Sequence, residues 1–298
     1  MNVKILFLAT RSWSFIMTLL SPTISLLLAY QSGVYDLMLF PLVVVGLIAF
    51  HGAANMINDL LDVRYGVDRY YSPTSKYRRH YLLIGEISVS TFLYEILFFY
   101  IIVVSITVYL TFIRGWIIPV FTVLGLFFAY AYSGEPFKLK HKPLGELSAF
   151  LVWGPFMTTG TYYILTSRLS LAPLYASIPI GMFVALVIFA NNLREIDYDK
   201  AAGVKTLAVI LGKKRALSFY KYFLSSIYFS LILLVISSIY SAYTLIAYLT
   251  LPKAIRLVRA FYEKVPEAAD LLTAQQAFNF GILIILGETL HYIQSIIF

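Results

Sequence analysis

Two short polar stretches interrupt an otherwise apolar chain, and their residue types are those that bind divalent metal ions. The first stretch covers residues 55–68 and the second covers residues 191–204. Each begins with asparagine, and together they hold six of the chain's 15 acidic residues. Both lie at the ends of apolar segments long enough to cross a bilayer. Because ionisable groups at such a depth are costly unless they are paired or metal-bound, both stretches are candidate functional sites.

The spacing within each stretch predicts a row of oxygen ligands on one side of a helix. Three such side chains follow one another at intervals of three and four residues in each stretch: Asn55, Asp59 and Asp62 in the first, and Asn192, Glu195 and Asp199 in the second. Residues at these intervals share a helical face, where like charges repel unless a cation lies among them. Carboxylate and amide oxygens are the ligands that Mg²⁺ prefers, together with water and substrate phosphate. The two rows therefore suit two or three Mg²⁺ ions that bridge a diphosphate.

Several basic residues are predicted on the same side of the membrane as these rows. They are Arg64, Arg69, Lys138, Lys140, Lys142 and Arg194. Arginine and lysine can bind phosphate oxygens. The alternative interpretation is that they are ordinary loop cations that set the orientation of a membrane protein.

The composition indicates which elements must position these groups. Of the 298 residues, 60% are apolar and only 13% are charged, and the mean hydropathy is +0.81. Apolar runs of about 20 residues can cross a bilayer as helices. Nine such segments are predicted, at residues 12–31, 37–60, 89–112, 115–133, 145–166, 171–192, 217–239, 241–260 and 274–297. The chain is therefore predicted to be a single all-α domain over residues 1–298, a polytopic membrane bundle. The absence of cysteine excludes disulfides, thiolate metal sites and a cysteine nucleophile.

The distribution of positive charge predicts the orientation of the bundle. With nine spans and a cytoplasmic N-terminus, 21 of the 23 lysines and arginines lie in cytoplasmic segments, which leaves only Arg114 and Arg168 outside. Such a bias in short loops sets membrane topology. It also explains the net charge of +8 without a nucleic-acid partner. The protein is thus predicted to be an integral protein of the cytoplasmic membrane, with both acidic stretches at its cytoplasmic face.

The two stretches end the second and sixth predicted spans, which suggests an internal repeat. Asp59 and Glu195 stand 136 residues apart (195 − 59). The loops that follow, at residues 63–84 and 200–216, are the longest predicted on the cytoplasmic side. They are expected to form caps over a site.

The ligand of such a site is predicted to be a lipid-linked diphosphate. The chain has no GxxxxGK[ST] or GxGxxG motif of the kind that binds a soluble nucleotide. A lipid-linked diphosphate instead needs an apolar groove that opens to the bilayer. The chain has 23 Phe, 24 Tyr and 3 Trp, and ring faces can stabilise a carbocation. Most of these rings are nevertheless expected to serve membrane packing.

At these residues the chain resembles the UbiA superfamily of intramembrane prenyltransferases, whose two aspartate-rich motifs lie on the second and sixth helices. Residues 58–68 resemble the ND-x-x-D-x-x-x-GVD motif of its menaquinone-pathway branch. Residues 191–209 resemble that branch's NNLRD-x-x-x-DR-x-AGK-x-TLAV motif. Residues 132–138, 144–146 and 154–155 are similar to its fourth loop and fifth helix.

The resemblance implies a nine-helix bundle around a central cavity and Mg²⁺-dependent transfer of a polyprenyl group to an aromatic ring. In the menaquinone branch the acceptor is 1,4-dihydroxy-2-naphthoate. The implied Mg²⁺ ligands are Asn55, Asp59, Asp62 and Asp68 in the first site and Asn192, Glu195 and Asp199 in the second, and the carboxylates among them are the predicted catalytic residues. The predicted diphosphate-binding residues are Asn55, Asn58, Arg64, Arg69, Tyr132, Lys138, Lys140, Asn192 and Arg194.

The chain departs from the motifs at two positions, and three alternative functions stay open. Glu195 stands where the family usually has aspartate, and Lys200 stands where it usually has arginine. The alternative acceptors are 4-hydroxybenzoate and a glycerol-phosphate ether, both used within the same superfamily. A transporter or ion-binding protein is the non-enzyme alternative, although transporters are expected to have polar groups in broken helices at the membrane midplane. His51, one turn before Asn55, is a candidate residue of the acceptor site.

Overall fold

The computed structural model describes residues 3–67 and 79–297, and this part of the chain folds as helices without a strand. In a bilayer each spanning segment must satisfy its own backbone hydrogen bonds, which favours helices. The main helical segments, labelled in chain order, are α1 (Ser12–Gln31), α2 (Leu37–Arg64), α3 (Val89–Arg114), α4 (Ile117–Ser133), α5 (Gly145–Leu151, Val152–Phe156 and Met157–Thr166 in succession), α6 (Leu171–Arg194), α7 (Leu207–Ile236), α8 (Ala242–Thr250 and Leu251–Glu263) and α9 (Ala269–Ile297). Two short helices, Val3–Ala9 and Ile196–Ala201, precede α1 and follow α6.

Within the described residues, six helices are long and apolar enough to cross a membrane. They are α1, α2, α3, α6, α7 and α9. Helix α4 is apolar but has only 17 residues. A π-helical turn at Val152–Phe156 interrupts α5, and α8 begins with a 3₁₀ segment at Ala242–Thr250. Each of the nine predicted spanning segments overlaps one of the helical segments α1 to α9.

The prediction of a loop over residues 200–216 is wrong from residue 207 onwards. Helix α7 begins at Leu207, ten residues before the predicted start of the seventh span. The side chain of Thr206 accepts a hydrogen bond from the backbone N–H of Val209 and so caps this helix. The helix continues past a kink at Gly212, where φ is 71°. The connection after the second acidic stretch is therefore short, and it holds the stretch close to α7.

Helix α6 lies at the centre of the bundle and carries the second acidic stretch. Its side chains Phe183, Leu186 and Phe189 are completely buried. Helix α5 approaches it closely at Gly154 and Gly181, where an added Cβ on Gly181 would lie 2.9 Å from the Phe150 backbone oxygen. Small residues at such a crossing let two membrane helices touch through their backbones. This packing sets the spacing between α5 and the end of α6.

Candidate active site

A cavity of about 290 Å³ lies between α1, α2, α4, α5, α6 and the start of α9. Polar side chains of both acidic stretches line it: Asn55, Asn58 and Asp62 from the first, and Asn191, Asn192, Glu195 and Asp199 from the second. The structure therefore brings the two stretches, which are more than a hundred residues apart in sequence, to one space. Aromatic and aliphatic residues, including Phe50, Phe128 and Trp153, line another part of the cavity.

Asp59, the remaining carboxylate of the first row, lines an adjoining cavity of about 220 Å³. The Arg11 side chain lines both cavities and forms an ion pair with Asp59. His80 Nε2 lies 3.9 Å from the same carboxylate oxygen, Oδ1, that Arg11 contacts. Asp59 is thus buried against basic partners at the edge of the main cavity.

Both acidic stretches end in the same backbone turn. In each, an aspartate is followed four residues later by a glycine with positive φ: Asp62 by Gly66 at 68°, and Asp199 by Gly203 at 75°. The valine after each glycine donates its N–H to the carbonyl oxygen of that aspartate, at 2.9 Å in both cases. This is the Schellman arrangement that ends a helix on a left-handed glycine. The Asp-x-x-x-Gly-Val pattern in each stretch therefore has a structural cause.

A tyrosine joins the two turns directly. The hydroxyl of Tyr198, in the second stretch, donates a hydrogen bond of 3.0 Å to the carbonyl oxygen of Val67, in the first. The ends of the two helices are consequently held together on one side of the cavity.

Replacing Gly203 with alanine is expected to destabilise the protein, because a residue with a Cβ pays about 1–2 kcal/mol in the left-handed region. No atom of residues 3–67 or 79–297 lies within 4 Å of the position that the Cβ would take, so we expect the cost to be conformational. The midpoint of thermal unfolding in detergent measures the effect. Gly203→Asn is the matched control, since asparagine adopts this conformation more readily. Equal midpoints for the alanine variant and the parent protein would contradict this account of the turn.

A lysine forms an ion pair with an aspartate of the first acidic stretch inside the cavity. Lys140 lies in the loop between α4 and α5 and forms an ion pair with Asp62. Its ammonium also donates to Asn58 Oδ1 at 2.9 Å, and the Ser133 hydroxyl donates to the same oxygen at 2.5 Å. With Arg11 on Asp59, both described carboxylates of the first row have a cationic partner.

An ion pair and a hydrogen bond connect the second stretch to α9 and α5. The Arg194 guanidinium binds Glu195 at 2.8 Å and Asp270, in the first turn of α9, at 2.6 Å. The Asn192 side chain donates to Glu146, at the start of α5, at 3.0 Å. These contacts orient the ends of three helices around the cavity.

Asp199, which follows the end of α6, has a raised pKa of the kind that a bound cation would lower. Burial raises its pKa to about 7, and repulsion from Glu195 adds to the rise. Attraction to Lys140 and Arg194 and a hydrogen bond with Thr206 oppose it only in part. A cation beside Asp199 and Glu195 would favour both ionised carboxylates.

The donor set fits a magnesium ion that is shared with a phosphate. Within residues 3–67 and 79–297, no three His, Asp or Glu side chains lie close enough to hold a metal ion by themselves. Mg²⁺ sites in phosphate-binding enzymes need no such cage, since one or two carboxylates, water and substrate oxygens complete the shell. The two rows offer carboxylate and amide oxygens, and Glu146 adds a buried carboxylate oxygen, Oε2, that has no hydrogen-bond partner among the described residues. The residues present therefore suit Mg²⁺ together with a substrate diphosphate.

The other predicted phosphate-binding residues occupy different positions. Tyr132 lines the cavity. Lys138 instead pairs with Glu135 at 2.6 Å and lies over the ring of Tyr65. Arg64 is exposed at the end of α2. Asp68 and Arg69 lie outside the described residues.

Sequence reasoning missed several residues of the site. Arg11 and His141 line the cavity, but both lie outside the sequence motifs, and the charge distribution counts Arg11 only among the cytoplasmic cations. Glu146 and Asp270 contact the second stretch. Glu146 lies in a segment that resembles the family's fifth helix, and this resemblance was the one signal that pointed to it. The His141 pKa is lowered to about 4 by burial and by Lys140 and Lys138, so this side chain is neutral near pH 7.

The chain is similar to known proteins over most of its length. The family model described as "UbiA prenyltransferase family" matches residues 19–284. A 1,4-dihydroxy-2-naphthoate octaprenyltransferase from Bacillus subtilis is 27% identical over 263 residues, which cover 86% of this chain and 83% of that protein. The human UbiA prenyltransferase domain-containing protein 1 is also 27% identical, over 94% of this chain and 82% of its own length.

Solved structures show the same fold. The apo structure of a UbiA homolog from Aeropyrum pernix superposes with a TM-score of 0.71 at 17% identity, covering 92% of this chain and 98% of that one. A UbiA homolog from Archaeoglobus fulgidus bound to GPP and Mg²⁺ has a TM-score of 0.62 at 16% identity and covers 94% of this chain and 99% of its own. The extent of the family match, the apolar helices and the shared fold lead to one conclusion: this chain belongs to the UbiA prenyltransferase family and is an integral membrane prenyltransferase.

Proposed function

We propose that this protein transfers a polyprenyl group from an isoprenyl diphosphate to an aromatic acceptor, and that the acceptor is 1,4-dihydroxy-2-naphthoate, as in menaquinone biosynthesis. The observation that carries the proposal is the single cavity that both acidic stretches line together with Arg11 and Lys140. The similarity to a 1,4-dihydroxy-2-naphthoate octaprenyltransferase supports the choice of acceptor. The GPP and Mg²⁺ bound by an archaeal homolog support the diphosphate and the metal.

In this proposal the two rows hold two or three Mg²⁺ ions, with Asn55, Asp59 and Asp62 on one side and Asn192, Glu195 and Asp199 on the other. When bound, Mg²⁺ supplies Lewis-acid stabilisation of the charge that develops on the departing diphosphate. Asp68 is proposed as a further ligand on the sequence motif alone.

The protein's own groups make three contributions to the reaction. The cations of Lys140 and Arg11 line the cavity and favour negative charge on the diphosphate as the allylic C1–O bond breaks. The rings of Phe50, Phe128 and Trp153 form an apolar wall that stabilises the allylic cation. The same wall excludes water, which would otherwise capture the cation before the acceptor ring carbon forms its bond to C1. That carbon then loses its carboxylate as CO₂, so that the ring becomes aromatic again.

The proposed placement of the active site is the cytoplasmic face of the cytoplasmic membrane. The proposal has nine spans and a cytoplasmic N-terminus, and the support for it is the sorting of 21 of the 23 lysines and arginines to one side. An internal repeat centred on α2 and α6 is proposed as well. The identical helix-ending turns after Asp62 and Asp199 support it.

An acceptor assay tests the proposed function. We expect the purified protein, given geranylgeranyl diphosphate and Mg²⁺, to prenylate 1,4-dihydroxy-2-naphthoate, with the product detected by mass spectrometry. Parallel reactions contain 4-hydroxybenzoate or a glycerol-phosphate ether, and a reaction with EDTA is the control for the metal. A prenylated product from either alternative, with none from the naphthoate, would reassign the acceptor within the family.

A further inference from the structure

A buried histidine lies beside the proposed diphosphate site on the side away from the helix ends. His51 is on α2, four residues before Asn55, so the two side chains share a face and stand about 6 Å apart along the axis. Both line the main cavity. His51 is only 5% exposed, yet none of the proposed metal or phosphate contacts uses it.

The hydrogen bonds around His51 assign the tautomer of its ring. The Ser14 hydroxyl donates to the Arg11 carbonyl oxygen at 2.7 Å, so Ser14 Oγ can only accept from other groups. Two nitrogens lie near this oxygen: His51 Nε2 at 3.3 Å and Asn55 Nδ2 at 3.4 Å. His51 Nδ1 lies 2.5 Å from the Thr18 hydroxyl, which is free to donate to it. The consistent assignment places the proton on Nε2, as a donor in a long bond to Ser14.

Aromatic rings flank this imidazole on two sides. The Trp153 ring meets it edge-on, with centroids 5.2 Å apart and an interplanar angle of 81°. The Phe15 ring lies 5.4 Å away at 58°. Trp153 belongs to the π-helical turn of α5, which includes Pro155, and it also lines the main cavity. Single π-helical turns of this kind are frequent at functional sites because they redirect side chains.

We propose that His51 and Trp153 form the binding subsite for the acceptor: an aromatic ring that carries an oxygen substituent. The acceptor ring packs against Trp153, and His51 Nε2–H donates to the ring's hydroxyl or carboxylate oxygen in place of the long bond to Ser14. The Thr18 hydroxyl holds the imidazole in the tautomer that this bond requires. The ring then lies between the aromatic wall and the diphosphate, where a ring carbon can reach the allylic C1. This inference rests on the proposed prenyl transfer to an aromatic acceptor.

Steady-state kinetics provide the first test, with 1,4-dihydroxy-2-naphthoate as the acceptor. In His51→Phe we expect the KM for the acceptor to rise about tenfold, as for a lost hydrogen bond, while the KM for geranylgeranyl diphosphate stays within about twofold. His51→Gln, which keeps a donor at a similar distance, is expected to recover most of the loss. Thr18→Val is expected to give a smaller rise in the same KM. An unchanged acceptor KM in a folded His51→Phe protein would overturn the inference.

Tryptophan fluorescence gives a second test that does not require turnover. The chain has three tryptophans, so the double variant Trp13→Phe/Trp116→Phe leaves Trp153 as the only indole. We expect 1,4-dihydroxy-2-naphthoate to quench its emission and the quenching midpoint to rise about tenfold when His51→Phe is added. A midpoint that His51→Phe leaves unchanged, or no quenching at all, would overturn the subsite. If the parent protein transfers no prenyl group but shows His51-dependent quenching, the proposed function fails and the subsite stands.

Discussion

Replacing Asp62 or Asp199 with asparagine is expected to reduce prenyl transfer about a thousandfold, at the upper end of what one lost electrostatic contact costs in a preorganised site. Asparagine keeps the shape of each side chain and removes its negative charge. Asp62 lies in the cavity against Lys140, and Asp199 lies there beside Glu195. Both aspartates are needed, because side chains of both acidic stretches are proposed to hold the diphosphate and its metal ions. Product formation at saturating Mg²⁺, measured by mass spectrometry, gives the rates.

Asp197→Asn is the matched control for these variants. Asp197 belongs to the same stretch as Asp199, but its side chain is exposed and does not line the cavity. The same chemical change at this position is expected to leave transfer within about twofold of the parent rate, as for most exposed substitutions. Near-normal turnover in Asp62→Asn or Asp199→Asn would contradict the site, and so would an equally severe loss in Asp197→Asn.

Replacing Lys140 with methionine is expected to reduce transfer about a hundredfold, because its ammonium is a preorganised positive charge beside the departing diphosphate. Its present partners, Asp62 and Asn58, show that its ammonium reaches the first acidic stretch. Methionine keeps much of the length of the side chain, so the loss reports mainly on the charge. We expect the deficit in kcat to persist at high Mg²⁺, since the metal ions cannot take the position of Lys140.

Lys142→Met controls for a general effect of charge in the same loop. Lys142 is exposed two residues further along and does not line the cavity. Its replacement is expected to leave kcat and both KM values close to those of the parent protein. A Lys140→Met protein with kcat within about threefold of the parent, or one indistinguishable from Lys142→Met, would show that Lys140 only balances the charge of Asp62.

The helices and the acidic rows could be predicted from sequence because their signals are local. Hydrophobic length alone predicts a spanning helix, and intervals of three and four residues predict a shared helical face. The start of α7 is predicted ten residues too late, because Lys213, Lys214 and Arg215 interrupt the apolar pattern. In the structure, the cap at Thr206 and the apolar residues after it begin the helix before these cations.

The remaining site residues could not be predicted because their roles depend on contacts between distant segments. Arg11 reaches Asp59 across 48 residues, and Glu146 reaches Asn192 across 46. Arg194 is predicted to bind phosphate, and the structure adds its ion pairs with Glu195 and Asp270, which the sequence does not reveal. Neither composition nor periodicity distinguishes a cation that binds a substrate from one that joins two helices.

Binding of a non-cleavable prenyl diphosphate analogue tests directly whether the two acidic stretches form one Mg²⁺–diphosphate centre. Isothermal titration calorimetry would compare geranylgeranyl S-thiolodiphosphate binding to the parent protein, Asp62→Asn, Asp199→Asn and Asp197→Asn, with and without Mg²⁺. We expect Mg²⁺-dependent binding by the parent and by Asp197→Asn, and a loss of that binding in both cavity variants. Parent-like, Mg²⁺-dependent affinity in either Asp62→Asn or Asp199→Asn would contradict this expectation.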